Sequence, residues 1–118
     1  MSEIVTAYKV VPGQQPKKFK TAKTLKSIDA AVGGSPEFIK VRLRNGKQVS
    51  IVFDSDPMNL NNLKDYNFTL QIVPDKKKSW IDFMGPVLIM GRQEDELVDI
   101  DLDQDEINEL ISHPYDDR

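Results

Sequence analysis

The chain has 118 residues, 39% hydrophobic and 30% charged, with a formal net charge of -3 and no cysteine. That is one ordinary globular domain, residues 1–118, long enough to bury a core without covalent staples. The lack of cysteine excludes a disulfide framework, a thiolate metal site and a cysteine nucleophile, and fits a reducing cytoplasm. No apolar run approaches the roughly 20 residues of a membrane helix. The opening Met1-Ser2-Glu3-Ile4-Val5 has no basic stretch leading into an apolar one, so no secretion is expected.

In chain order, residues 3–11 carry enough β-branched and aromatic side chains for a strand, with Tyr8, Val10 and Val11 as core candidates. Pro12-Gly13 and Pro16 end it. Residues 17–21 make a second short strand with Phe19 inward. Leu25, Ile28, Ala31 and Val32 then recur at helical spacing, which predicts a helix over 25–32 with Thr24 as N-cap and Gly33 just past its end.

Next, Ile39, Val41 and Leu43 alternate with Lys40, Arg42 and Arg44, and after Asn45-Gly46 so do Val49, Ile51 and Phe53 with their neighbours. A two-residue Asn45-Gly46 turn would set Val41 opposite Ser50, mixing apolar and polar side chains on each face. A three-residue loop, Arg44-Asn45-Gly46, sets Val41 opposite Val49 and Ile39 opposite Ile51, with Gly46 left-handed. Side-chain parity selects the second register.

Residues 54–64 read as a loop with one helical turn around Leu60 and Leu63. Tyr66, Phe68, Leu70 and Ile72 alternate as a strand, residues 74–78 turn, and residues 80–84 return. Val87-Leu88-Ile89-Met90 is an apolar run bounded by Gly85-Pro86 and Gly91. Val98, Ile100 and Leu102 alternate with Asp99 and Asp101, so a strand is expected there too. Asp103 and Glu106 have the spacing of a capping box, and Ile107, Leu110 and Ile111 give a final helix over 104–112 its apolar stripe. The fold class is α+β: a mainly antiparallel sheet, a short helix after the second strand and a C-terminal helix.

Charge is graded along the chain. Residues 1–50 hold ten Lys or Arg against three Asp or Glu; residues 93–118 hold one against eleven. The gradient defines a candidate basic face, Lys40, Arg42, Arg44 and Lys47, and a candidate acidic face, Glu94, Asp95, Glu96, Asp99 and Asp101. Such a pattern serves polyanions, basic partners, internal complementarity or simple solvation.

Val11-Pro12-Gly13 with Pro16, Thr24-Leu25 leading to Ala31-Val32-Gly33-Gly34, Gly85 to Gly91 and Leu102-Asp103-Gln104-Asp105-Glu106-Ile107 occur in an order that resembles a family of short domains of unknown function. Its members occur mainly in phages, plasmids and other mobile elements of Gram-positive bacteria. Ser35-Pro36-Glu37 and residues 70–83 depart from its pattern. The resemblance implies an accessory gene of a mobile element and brings no catalytic residues with it.

Chemistry-bearing motifs are scarce. An EF-hand loop starting at Asp99 needs Gly at its sixth position and Glu at its twelfth, where Gln104 and Leu110 stand. His113 is the only histidine. No phosphate-binding glycine loop or nucleophile elbow is present. No catalytic, cofactor or metal residue is therefore assigned. The expected function is a non-enzymatic module binding a host or mobile-element protein. Two alternatives are an acidic mimic of nucleic acid directed at host defence or DNA-processing proteins, and a nucleic-acid binder using the N-terminal basic surface.

Overall fold

Among the residues described by the computed structural model, 3–33, 36–42, 46–54, 66–72 and 79–112, the backbone forms eight strands and two helices. The strands are β1 (Ile4–Val10), β2 (Lys17–Ala22), β3 (Pro36–Arg42), β4 (Gln48–Asp54), β5 (Tyr66–Ile72), β6 (Ser79–Met84), β7 (Val87–Gln93) and β8 (Glu96–Val98). The helices are α1 (Leu25–Val32) and α2 (Gln104–Ser112).

An antiparallel sheet runs in the order β2-β1-β7-β4-β3, with β8 pairing β7 past the last β1–β7 pair, Tyr8 with Ile89. The run Val87-Leu88-Ile89-Met90 lies at its centre, and all four side chains are fully buried. Such a strand needs no alternation, because both its faces are covered. On one face, Val5, Ala7, Val52, Leu88 and Met90 pack under Ile28, Ala31 and Val32 of α1. On the other, Tyr8, Val10, Val49, Ile51, Val87 and Ile89 meet Phe68, Phe83, Leu102 and Ile107 from the β5–β6 hairpin and α2. The molecule is thus three layers deep.

Local chemistry sets the element ends. Thr24 Oγ1 accepts from Ser27 N at 3.2 Å, and Gly33, with φ of 88°, donates its N–H to Asp29 O at 2.8 Å. Asp103 and Glu106 cap α2 reciprocally: Glu106 N donates to Asp103 Oδ1 (2.8 Å) and Asp103 N to Glu106 Oε1 (3.1 Å). In the β3–β4 hairpin Val41 faces Val49 and Ile39 faces Ile51, and Gly46 has φ of 86°.

One expectation is corrected. The acidic alternation does not continue as a strand: the ladder stops at Val98. β1 already occupies that side of β7 at Val87, Leu88 and Ile89, so no place in the sheet remains. The chain passes over Gly91 instead, and Ile100 N donates to Thr6 O at 2.9 Å. Alternation of exposure survives without a ladder, with Leu102 buried, Ile100 half-buried and Asp99 and Asp101 exposed. The helical turn around Leu60 and Leu63, the turn at 74–78, Arg44, Asn45 and His113 lie outside the described residues. Among those described, no helix is long and apolar enough to cross a membrane.

Candidate interaction surface

Folding brings the two charged ends of the sequence together. Lys40 on β3 reaches across the sheet to Asp95 in the β7–β8 turn, Nζ to Oδ1 2.8 Å. Lys23, ahead of α1, contacts Glu96 at 3.0 Å and Glu3 at 2.8 Å. Lys47, at the foot of β4, lies 3.4 Å from Glu106 and 4.0 Å from Asp101. Asp99 Oδ1 accepts from Thr6 N at 2.8 Å. Hydrogen bonding to Lys40 holds the Asp95 carboxyl below its ordinary range, and bonds to Glu3 and Glu96 hold the Lys23 ammonium above its own. The proposed basic and acidic faces are therefore interleaved. Arg42 is exposed and has no carboxylate at ion-pair distance among the described residues.

A cleft of about 390 Å³ opens where the foot of β4, the end of β7 and the segment after β8 converge. Lys47, Arg92, Glu94, Asp99 and Asp101 line it. Arg92 Nη1 donates to Glu94 O at 2.7 Å and Lys47 lies 4.0 Å from Asp101, while Arg92 Nε is buried with no hydrogen-bond partner among the described residues. Among its described lining residues there is no hydroxyl, thiol or imidazole group. No group of three or more metal-ligating side chains occurs among the described residues.

The sheet has two outer strands of different character. β2 carries Lys17, Lys18 and Lys20 toward solvent, the lysine guard that discourages a further strand from pairing. β3 is seven residues long and pairs only β4 among the described strands. Phe38 on it is 37% exposed, beside Lys40 and Arg42 on the same side of the strand. Pro36 opens this strand, a place where proline costs no ladder bond.

Comparison with family models, curated proteins and solved structures returns no match.

Of the residues singled out from sequence, the structure joins Lys40 to Asp95 and Lys47 to Asp101. It seats Glu94, Asp99 and Asp101 with Lys47 around the cleft, and gives Arg42 on β3 no carboxylate partner among the described residues. Sequence reasoning missed Phe38. Its parity with Lys40 and Arg42 was the available signal: three residues at two-residue spacing share a face, and that face is polar.

Proposed function

We propose that this chain is a non-enzymatic protein-binding module, working in the cytoplasm as an accessory product of a phage, plasmid or other mobile element, and that its partner docks along β3. The observation that carries this reading is Phe38, exposed on an outer strand that pairs only β4 among the described strands and that carries Lys40 and Arg42 on the same side. An extended partner segment can add to such an edge through main-chain hydrogen bonds.

The charge pairing weighs against the two alternatives. An acidic mimic needs a face of carboxylates free for a basic cleft, and Asp95, Glu96 and Asp101 each have a lysine of the same chain beside them. A nucleic-acid surface needs a continuous positive groove, and Lys23, Lys40 and Lys47 are each neighboured by carboxylates.

The test is affinity capture from a host lysate with the native chain and with Phe38→Ser, followed by hydrogen exchange on the purified complex. Phe38 belongs to neither core cluster, so the variant should fold normally. Loss of the partner in the variant, with amide protection over residues 36–42 in the native complex, is expected. A partner retained by Phe38→Ser and protecting a different segment would refute the proposal. A small metabolite copurifying with the chain, with no partner captured, would point to a ligand-binding role instead.

A further inference from the structure

We infer that the β3 edge recognises an extended segment in which apolar and acidic residues alternate, and that Asp95 stands in for one of its carboxylates when no partner is bound. The inference rests on the edge-docking reading above. It follows from what each face of an added strand would meet.

Alternation on β3 places Ile39 and Val41 against the larger core cluster, while Phe38, Lys40 and Arg42 lie on the opposite face. A strand added beside β3 continues both faces. Its residues beside Ile39 and Val41 extend the apolar layer, so small or branched apolar side chains fit there. Its residues on the other face lie beside Lys40 and Arg42, where carboxylates are attracted and ammonium groups repelled.

Asp95 already shows this chemistry. Its carboxylate is 92% exposed and its Oδ1 lies 2.8 Å from Lys40 Nζ, itself on a side chain 59% exposed. A pair this open is held weakly and exchanges readily for another carboxylate. Arg42, two residues on, has no such placeholder among the described residues. The edge therefore presents one occupied and one vacant cationic position at strand spacing.

A second copy of the chain is the poorer occupant. Face parity allows only registers that set odd positions opposite odd. Antiparallel self-pairing centred on Lys40 sets ammonium against ammonium. Centred on Ile39, it sets Glu37 against Val41 on the core side and brings the two Lys40 side chains to a diagonal. Centred on Phe38, it sets Glu37 against Ile39. An acidic alternating segment shares only the apolar contact with Glu37 and sets carboxylates, not ammonium groups, beside Lys40 and Arg42.

The full chain should be titrated with three short synthetic peptides, alternating Val with Glu, Val with Lys and Val with Ser, and followed by amide exchange and fluorescence polarisation. The Val/Glu peptide should bind about tenfold more tightly than the Val/Lys peptide, from two favourable cross-strand charge pairs replaced by two unfavourable ones. Asp95→Asn should strengthen Val/Glu binding by about two- to threefold, because it vacates Lys40. Arg42→Glu should shift the preference toward Val/Lys. Protection of residues 36–42 with no preference among the peptides would overturn the sequence preference and leave the edge reading standing. Binding that protects other residues would overturn both. Failure of all three peptides to bind would overturn the inference, while the captured partner would still decide the edge reading. A concentration-dependent dimer dissolved by Phe38→Ser would overturn it in favour of a second copy.

Discussion

The carbonyl oxygen of Asp99 stands 2.5 Å from where a β-carbon on Gly91 would lie, with the Val98 carbonyl oxygen at 2.8 Å. Both are backbone atoms, so neither can swing aside as a side-chain tip would. The acidic segment crosses the sheet at the one residue of β7 that has no side chain. Replacing Gly91 with Ala should force this crossing outward and destabilise the protein by about 2–3 kcal/mol, the upper range for overpacking. Urea denaturation measures it; a loss under about 0.5 kcal/mol, ordinary for an innocuous surface change, would mean that the crossing segment shifts freely.

Gly46 makes the complementary case. An added β-carbon there meets nothing within 4 Å, yet φ is 86°. The cost of substitution is therefore conformational alone. Gly46→Val should lose about 1–2 kcal/mol, while Gly46→Asn, which tolerates the left-handed region, should lose less than half of that. Equal losses from both variants would show that backbone strain is not the cause.

Asn67 sits where the β5–β6 register shifts between Tyr66 and Phe68. Its Nδ2 donates to Val10 O and to Gly85 O, both at 2.8 Å, tying the hairpin to the end of β1 and to the turn before β7. The adjacent Phe68 ring packs on Phe83 at 5.0 Å, and Phe83 meets Phe53 edge-on at 5.2 Å. Asn67→Ala removes both donors from two part-buried carbonyls and should cost about 1–3 kcal/mol. Hydrogen exchange should show faster opening of residues 66–72 and 79–84 than of β1 and β7. Uniform loss of protection across the chain would argue against a local role.

What the sequence disclosed depended on how local the determining physics is. The β3–β4 register was legible because parity alone chooses between two turns. Thr24 and the Asp103–Glu106 pair were legible because caps act over three residues. The central position of β7 left no comparable mark: an unalternating apolar run fits a buried strand or a buried helix turn equally. The end of the ladder at Val98 depends on β1, some ninety residues earlier, already lying beside β7, and no window near Asp99 contains that information. The charge gradient misled for the same reason. Two oppositely charged halves look like two faces until the fold sets Lys40 beside Asp95 and Lys47 beside Asp101. Asn67 was invisible because its partners are backbone carbonyls of distant residues.

Tyr8 gives a pH dependence with a definite sign. Burial, with Asp103 and Glu106 nearby, pushes its hydroxyl above the ordinary tyrosine value. The folded state therefore holds this proton more tightly than the unfolded chain does. The stabilisation is complete below the unfolded tyrosine pKa of about 10 and is lost as pH rises through the folded value. Unfolding free energy should decline above pH ~10, and Tyr8→Phe should flatten that decline. An unchanged slope in the variant would assign the alkaline loss to other groups.

Lys47 separates a structural from a recognition role. Its Nζ lies 3.4 Å from both carboxylate oxygens of Glu106 and 4.0 Å from Asp101, and its side chain is 36% exposed. Glu106 is also half of the capping box that starts α2, and Ile107, the next residue, is fully buried in the larger core cluster. Lys47 therefore links the foot of β4 to the anchored first turn of the last helix. Lys47→Met keeps most of the aliphatic stem and removes only the charge. It should lower stability by about 0.5–1 kcal/mol, little because the pair is partly solvated. The gap between variant and native chain should narrow at ~1 M salt, where screening acts over about 3 Å. Partner capture should be unaffected, since Lys47 precedes β4 and is directed at Glu106 and Asp101, away from the proposed docking edge on β3. Loss of the partner in a Lys47→Met chain of native stability would move the interaction surface from the β3 edge to the cleft that Lys47 lines.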